Sequence, residues 1–399
     1  MKVFIPREED GETRVAASPD TIKKLKGLGA EIVVQSGAGE HSRITDKAFE
    51  DAGASIGDGD SGKDADVVLK VRRPSKSEAS GYKDGAVVLA LMDPYGNEDA
   101  LKELAEAKIF AFSMELMPRI TRAQVMDVLS SQANLAGYQA VIDASHEFDR
   151  AFPMMMTAAG TVPAAKVFVM GAGVAGLQAI ATAKRLGARV SANDIRPATK
   201  EQVESLGAKF IAVEDEEFKK AEDSGGYATE MSKEYQKKQA ELVEEHIAAQ
   251  DVVITTALIP GKPAPKLVSK TMIEAMKPGS VLVDLAVERG GNVEGSKPGE
   301  IVDVGPAKVI GYKNVAGRIA ASASLLYAKN LSSFLETMID KEAEKPTLKI
   351  DFDDELVKST LLTRDGKVVH ERFGGPSGSE EKEKTGEAEA ETGESEGDN

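Results

Sequence analysis

The glycine-rich turn at residues 171 to 176 restricts the fold of this chain more than any other feature. It reads GAGVAG and follows a short apolar run, KVFVM (166 to 170), with a helical run directly after it. Gly171 allows a tight turn, Gly173 lets the backbone approach a phosphate, and Gly176 permits close packing of helix on strand. Free amide groups at the helix start favour bound negative charge. The pattern predicts a dinucleotide-binding βαβ unit, with a ligand-free glycine turn as the alternative.

An aspartate ends the next apolar run, RVSAND (189 to 194). Asp194 lies 18 residues beyond Gly176, close to where such sites place the acid that accepts hydrogen bonds from the adenosine ribose. A 2′-phosphate would meet its charge, so the sequence favours NAD(H) over NADP(H). Arg196 leaves the opposite interpretation open, since it could pair with such a phosphate, and a solvated loop charge is its other explanation.

Short apolar runs alternate with helical segments in two series, which predicts two parallel sheets with helices on their faces. The first series covers residues 2 to 6, 31 to 35, 66 to 71, 86 to 91 and 108 to 113. The second covers residues 166 to 170, 189 to 194, 209 to 213, 251 to 257, 280 to 286 and 308 to 312. We therefore expect an α/β protein with two doubly wound, mainly parallel-sheet, Rossmann-like domains.

Two long helices are predicted at the borders of the second series, over residues 122 to 149 and 321 to 340. They suggest that the chain leaves the first domain and later returns to it. We expect a discontinuous first domain over residues 1–129 and 321–373. An NAD-binding Rossmann domain is expected over residues 130–320, and a disordered acidic tail over residues 374–399.

The composition excludes several other classes of protein. The 399 residues include no cysteine, which removes disulfides, thiolate nucleophiles and cysteine metal sites and favours a reducing compartment. The N-terminus lacks a signal peptide, and no stretch approaches the roughly 20 apolar residues of a membrane span. The net charge of −16 argues against nucleic acid and anionic membrane surfaces. Residues 379–399 carry nine acidic residues and two lysines, typical of a solubilising tail, a salt adaptation or a tether.

A polar stretch, RITRAQVMDVLSS (119 to 131), precedes the glycine turn. Its hydrogen-bonding residues are Arg119, Gln124, Asp127 and Ser130, and it contains neither histidine nor cysteine. An ordinary polar helix start is the alternative explanation. The chain has four histidines, and each has a structural explanation: we expect a surface position for His246, a place near the disordered end for His370, a helix end for His146 and a turn for His41.

Several longer phrases resemble one family. They are RVAASP (14 to 19), ELMPRITRAQVMDVLSSQANLAGYQAV (115 to 141), FPMMMTAAGTVPAAKVFVMGAGVAGLQAIATAKRLGA (152 to 188), TKEQVESLGAKF (199 to 210), TTALIPGKPAP (255 to 265) and MKPGSVLVDLAVERGGN (276 to 292). Over about residues 1 to 373 the chain resembles the NAD(H)-binding component, domain I, of proton-translocating nicotinamide nucleotide transhydrogenase. Alanine dehydrogenase is the nearest cousin of that family.

The resemblance implies an enzyme subunit that exchanges hydride between NAD(H) on this chain and NADP(H) on a partner subunit, with no metal. Direct transfer between two nicotinamide rings needs positioning rather than an acid or base. Arg119, Gln124, Asp127 and Ser130 match the family's loop that positions the nicotinamide end. GGYATEM (225 to 231) resembles its mobile loop. The implied cofactor-binding residues are Gly171, Gly173, Val174, Gly176, Asp194, Ile195, Arg196, Gly226, Tyr227, Thr256, Ala257 and Leu258.

The resemblance also implies a homodimer and a separate membrane-embedded proton-channel subunit. The chain would then be cytoplasmic, peripheral to the inner face of the cell membrane through its partners. Two alternatives remain. An alanine dehydrogenase-like enzyme is disfavoured because that family's substrate-handling lysine and histidine are replaced by Arg72 and Asp93. A non-enzymatic NAD-binding module fits the glycine turn but does not explain the polar stretch.

Overall fold

A computed structural model describes residues 1–9, 11–219, 232–340, 343 and 347–375. The chain divides into two compact units. The first comprises Met1–Leu129 and Ala320–Asn399, and the second Ser130–Ile319. Each unit contains a mainly parallel sheet, so the predicted α/β class with a discontinuous first domain is confirmed. Most of the expected acidic tail, from residue 376 onward, lies outside the described residues.

The N-terminal part of the first unit alternates strands and helices. The strands are β1 (Lys2–Ile5), β2 (Glu31–Gln35), β3 (Ser55–Gly57), β4 (Val67–Arg72), β5 (Val87–Leu91) and β6 (Phe110–Ser113). The α-helices are α1 (Pro19–Gly27), α2 (Asp46–Ala52), α3 (Lys76–Gly81) and α4 (Glu98–Glu106). Short 3-10 helices cover Glu40–Ser42, Gly59–Gly62, Met114–Leu116 and Thr121–Met126. Ser18 caps α1, because its Oγ accepts from the amide of Thr21.

The long helix predicted over residues 122 to 149 is interrupted near its start. Thr121–Met126 is a 3-10 helix, Asp127 has extended backbone, and α5 covers Val128–Glu147. Residues three apart share one face of a 3-10 helix, so the tighter turn buries both Ala123 and Met126 in the core of the first unit. Of the four polar residues predicted for the site in this stretch, only Ser130 therefore lies on an α-helix.

The second unit carries the other main sheet. Its strands, with two that form a separate hairpin, are β7 (Met155–Thr157), β8 (Gly160–Val162), β9 (Lys166–Met170), β10 (Arg189–Asn193), β11 (Lys209–Phe210), β12 (Val252–Thr255), β13 (Ser280–Asp284), β14 (Ile301–Val304) and β15 (Ala307–Ile310). Its α-helices beyond α5 are α6 (Val174–Arg185), α7 (Thr199–Ser205), α8 (Glu216–Lys219), α9 (Lys233–Ala248) and α10 (Lys270–Glu274), and 3-10 helices cover Val287–Arg289 and Val315–Ile319.

The strand order in this sheet is β11-β10-β9-β12-β13-β15-β14, with only the edge strand β14 antiparallel. The order reverses at β9, which pairs with β10 on one side and β12 on the other. In doubly wound sheets, ligands bind beyond the carboxyl ends of the strands at such a reversal. The glycine turn follows β9 directly and therefore occupies the expected ligand position.

The chain returns to the first unit through α11 (Ala320–Glu336). It continues with β16 (Ile339–Asp340), β17 (Thr347–Leu348), α12 (Glu355–Thr360), β18 (Leu361–Arg364), β19 (Lys367–Val368) and a 3-10 helix at Glu371–Phe373. The first sheet has the order β19-β18-β6-β5-β4-β1-β2-β3, with β18 antiparallel to β6. Buried Tyr327 and Phe334 of α11 join the core beneath this sheet. Among the described residues, no helix combines the length and apolarity needed to cross a membrane.

Candidate dinucleotide site

The glycine turn packs as its sequence predicts. Gly171 has a positive φ of 102°, and a Cβ on Gly176 would lie 1.8 Å from the carbonyl oxygen of Gly171. A Cβ on Gly173 would meet no atom within 4 Å, so the space beside it is open. Gly173 is also the N-cap residue of α6, and because it has no side chain it cannot cap the first amides of the helix. The first amides of this helix therefore face a space in which a phosphate would fit.

Asp194 joins the turn to the end of β10. Its Oδ2 accepts from the amide of Ala172 at 2.7 Å, and its Oδ1 accepts from the amide of Arg196 at 2.9 Å. The Arg196 guanidinium makes a bidentate contact with the same carboxylate, since Nε donates to Oδ1 and Nη2 donates to Oδ2, each at 2.9 Å. Asp194 thus positions the glycine turn, and its contact with a ribose stays a prediction.

The loop after β12 contains the predicted residues Thr256, Ala257 and Leu258. The Thr256 hydroxyl donates to the carbonyl oxygens of Met170 and Gly171 at 3.3 and 3.2 Å, which ties this loop to the glycine turn. The side chain of Leu258 is exposed. Val174 and Ile195, both also predicted, are exposed large apolar residues as well. Apolar side chains left open at the carboxyl edge of a sheet are typical of a ligand pocket.

Asn292 holds this loop in place, although no sequence pattern singled it out. Its side chain is fully buried; Oδ1 accepts from the amide of Ala257 at 3.0 Å, and Nδ2 donates to the carbonyls of Ala257 at 2.9 Å and Pro265 at 2.8 Å. Buried Asp284 accepts from the backbone amides of Asn292 and Val293 and fixes the turn that carries Asn292. The sequence signal that could have found it is the tandem glycine before Asn292, at the same sheet edge.

The polar stretch forms a clamped loop in the first unit. Gln124 is exposed, whereas the neighbouring Ala123 and Met126 are buried. The Asn330 side chain of α11 donates to the carbonyl of Val125 at 2.9 Å. Arg122 makes two 2.8 Å hydrogen bonds to Asp354, the N-cap residue of α12, and these bonds lower the pKa of that carboxyl. Several independent contacts therefore restrict this loop.

The remaining predicted residues of the stretch follow the same backbone. Arg119 is exposed just before the 3-10 helix, Asp127 is half-buried at its C-cap, and Ser130 is half-buried in the first turn of α5. Farther along α5, Gly137 lies against the first turn of α6, where a Cβ would meet the carbonyl oxygen of Ala175 at 2.0 Å. Asn134 donates to Gln178 of α6 at 3.3 Å. The helix that carries Ser130 is thus packed directly on the helix that follows the glycine turn.

Two predicted residues, Gly226 and Tyr227, lie outside the described part of the chain. Within the described ranges, no group of three or more carboxylate or imidazole side chains is arranged to hold a metal ion.

Arg72, one of the two residues that the sequence resemblance predicts to replace the substrate-handling pair of alanine dehydrogenases, donates through Nε to the buried carboxylate of Glu12 at 2.7 Å. The second, Asp93, follows β5, and its backbone amide donates to Glu115.

The expected surface position of His246 is wrong. Its ring is half-buried, packs edge-on against Phe168 with ring centroids 4.8 Å apart, and its Nε2 lies 2.8 Å from Ser191 Oγ. Burial lowers the pKa of His246, and Lys209 and Lys166 lower it further. The apolar residues Val243 and Ile247 on α9 turn this face of the helix toward the sheet, and the charged sequence around His246 concealed that pattern. His370 caps the 3-10 helix at Glu371–Phe373, where its ring accepts from the amide of Arg372.

Sequence models of a known family match nearly the whole chain. The model of the alanine dehydrogenase/PNT N-terminal domain matches residues 4–136, and that of the alanine dehydrogenase/PNT C-terminal domain matches residues 140–371. The chain belongs to the alanine dehydrogenase/PNT family. This confirms the family resemblance inferred from the sequence.

Within the alanine dehydrogenase/PNT family, the chain is strongly similar to transhydrogenase subunits. It is 56% identical to an NAD(P) transhydrogenase alpha subunit chain of Rhodospirillum rubrum, over 93% of this chain and 98% of that protein. A crystal structure of transhydrogenase from Sinorhizobium meliloti matches with 64% identity and a TM-score of 0.85, over 92% of this chain and all of that one. Alanine dehydrogenase of Mycobacterium tuberculosis is 32% identical over 75% of this chain and 76% of its own length.

Replacing Asn292 with alanine tests its role in holding the loop. Three backbone groups lose their buried partner, so we expect a loss of about 1 to 3 kcal/mol in the free energy of unfolding. We also expect weaker NADH binding, because the loop of Ala257 is no longer fixed. Thermal unfolding and NADH titration measure the two effects.

Val309→Ala is the matched control, since Val309 is fully buried in β15 of the same sheet and contacts none of these groups by hydrogen bonding. It should lower stability and leave NADH affinity close to that of the parent. Equal losses of affinity in both variants, or unchanged affinity in Asn292→Ala, would show that Asn292 acts on stability alone.

Proposed function

We propose that this chain is the NAD(H)-binding subunit of a transhydrogenase and transfers hydride directly between its own nucleotide and NADP(H) held on a partner subunit. The observation that carries this proposal is the combination of a dinucleotide cradle after β9 with a clamped polar loop at residues 119–127. A generic NAD-binding module explains the cradle but gives no reason for the loop. The similarity to named transhydrogenase subunits over almost the full chain supports the same reaction.

The second unit would bind the nucleotide. The free amides at the start of α6 fit the pyrophosphate, and the charge at Asp194 favours a ribose with free hydroxyls over a 2′-phosphate. Val174, Ile195 and Leu258 supply exposed apolar surface for the adenosine half. Ala257 and Leu258 are held beside the glycine turn by Asn292 and Thr256. We infer that NAD(H) is the preferred nucleotide.

The polar loop would position the nicotinamide end. Arg119 offers a planar fork of donors, Gln124 both a donor and an acceptor, and Asp127 acceptors, which suits a carboxamide and ribose hydroxyls. Ser130 can add either role at the start of α5. Buried anchors and the Arg122–Asp354 pair restrain the loop, so these side chains are presented on a backbone with little freedom. The role that we assign to the polar loop in catalysis is to position the nicotinamide ring.

The reaction requires no protein acid or base. NADH supplies a hydride at its nicotinamide C4. One C–H bond breaks there and one forms at C4 of NADP⁺, so charge balances without proton transfer. The two ring carbons need a separation of about 3 to 3.5 Å and a site free of water. The residues of this chain therefore contribute orientation and exclusion of solvent, consistent with a polar loop that lacks lysine, histidine and cysteine.

Proton translocation and NADP(H) binding would reside on other subunits. The Rhodospirillum rubrum relative is named as the first portion of an alpha subunit, and this chain aligns with 98% of it. We propose that the chain lies at the inner face of the cell membrane, attached through a membrane-embedded proton-channel subunit and an NADP(H)-binding subunit.

We also propose a homodimer in which the β7–β8 hairpin packs on a second copy. All residues of the two strands are exposed, and Met154, Met155, Met156 and Val162 present apolar side chains. An isolated two-stranded hairpin is only marginally stable in water, and an exposed apolar patch marks an interaction surface. A second copy of the chain would cover this surface and complete the hairpin's packing.

Gln124→Asn tests the positioning role of the loop. The change keeps the amide but shortens its reach by one methylene, and misplacing reacting atoms by ~1 Å can cost on the order of 100-fold in rate. We expect single-turnover hydride transfer, followed by stopped flow with the NADP(H)-binding partner, to slow by about this factor. NADH affinity of the isolated chain should change much less, because the adenosine half still anchors the nucleotide.

Gln202→Asn is the matched control, since Gln202 is exposed on α7 and should leave both quantities unchanged. Parental transfer rates in Gln124→Asn, or equal proportional losses of rate and affinity, would contradict the positioning role and favour an ordinary polar helix start.

Met156→Asp tests the proposed dimer contact. The carboxylate would have to lose water to enter an apolar interface, which is costly, so we expect the parent to sediment as a dimer and the variant as a monomer or a weaker dimer. Ser205→Asp adds the same charge at an exposed position of α7 and should remain dimeric. A monomeric parent, or a variant with parental dimer stability, would contradict the contact.

A further inference from the structure

Groups of the chain itself fill the hydrogen-bonding positions of the Asp194 carboxylate. A carboxylate offers about four lone-pair positions, two on each oxygen. Oδ1 accepts from the amide and Nε of Arg196, and Oδ2 accepts from the amide of Ala172 and Nη2 of Arg196. The two ribose hydroxyls that the proposed function assigns to Asp194 therefore have no open acceptor there.

We propose that Arg196 is a built-in competitor that sets the affinity and specificity of the site, because its guanidinium must leave Asp194 when NAD(H) binds. This inference rests on the proposed function. Removal of the guanidinium would free one acceptor position on each oxygen, while the backbone amides of Ala172 and Arg196 stay bound. Two freed positions on adjacent oxygens suit the 2′- and 3′-hydroxyls of one ribose.

The exposure of the pair makes this exchange accessible. The Arg196 side chain is 33% exposed, whereas that of Asp194 is 7% exposed. The guanidinium can therefore move into water while the carboxylate remains in place. A partly exposed ion pair is also weak, since solvent screens it and the long side chain loses freedom when held. The backbone donors, in contrast, keep the carboxylate oriented toward the glycine turn in both states.

Competition predicts an effect opposite to that of a direct contact. If Arg196 bound the nucleotide, its removal would weaken NADH binding. If it competes for Asp194, Arg196→Gln should tighten NADH binding by about fivefold, the factor that corresponds to ~1 kcal/mol. NADPH should gain nothing, because its 2′-phosphate still faces the charge of Asp194 and loses a nearby cation. The preference for NADH over NADPH should therefore widen.

Calorimetric titration of the full chain with NADH, NADPH and 2′-deoxy-NADH distinguishes these outcomes. The gain in Arg196→Gln should be smaller for 2′-deoxy-NADH, which can fill only one of the freed positions. Arg196→Lys keeps a cation but loses the planar fork, so its NADH affinity should lie between those of the parent and Arg196→Gln. Arg185→Gln removes an exposed arginine from the far end of α6 and should match the parent.

Weaker or unchanged NADH binding in Arg196→Gln would overturn the competitor role and leave the NAD(H) site itself intact. Equal gains for NADH and 2′-deoxy-NADH would also overturn it, since the freed acceptors would then not be taken by the ribose. A parent chain that binds no NADH would instead overturn the proposed function, and the competitor role with it.

Discussion

The arrangement at the carboxyl edge of the second sheet depends on side chains that satisfy backbone groups where the β ladder stops. Buried amides and carbonyls need partners, and beyond the ends of β9, β10 and β12 the neighbouring strands no longer supply them. Asp194, Thr256 and Asn292 supply them instead. Because these side chains hold the loops, the amides at the start of α6 are left facing open space. The same contacts that stabilise the edge thereby create a place for a dinucleotide.

In the first unit, similar long-range contacts restrain the polar loop at residues 119–127. Its polar loop buries Ala123 and Met126, receives a hydrogen bond from Asn330, and is joined to α12 by Arg122 and Asp354. The exposed residues of the loop are therefore presented on a restricted backbone. A reaction that transfers only a hydride benefits from this kind of rigidity, because small errors in ring placement cost large factors in rate.

Sequence patterns predicted most of the parallel strands, because these are short apolar runs with mainly buried residues. They missed the short parallel strand β3, which reads Ser-Ile-Gly and is partly exposed. They missed β14 and β18, the antiparallel strands, because these are short and carry mixed polar residues such as Asp303 and Arg364. The sequence also missed the break at Asp127. Over six residues, the three-residue spacing of a 3-10 helix cannot be told from the spacing of an α-helix. The glycine turn was predictable from local spacing, and its packing is confirmed.

The side-chain contacts that position the site were not predictable in the same way. Asn292 meets Ala257 across 35 residues, and no local pattern encodes that contact. Arg196 was open to two interpretations in the sequence, and only the geometry shows its fork closed on Asp194. His246 lies in a charged segment, and its burial depends on how α9 packs on the sheet. Long-range partners of polar residues are thus the aspect of the site that sequence alone left undetermined.

Deuterium tracing tests the central claim that hydride passes directly between two nucleotides. NADH labelled with deuterium at the transferring position of C4 would react with NADP⁺ in a single turnover, with the chain assembled with its partner subunits in ordinary water. Mass spectrometry of the NADPH formed should find the deuterium retained in full, since neither an acid nor a base of the protein takes part. Loss of the label to water, or a requirement for a third substrate such as an amino acid, would contradict the account.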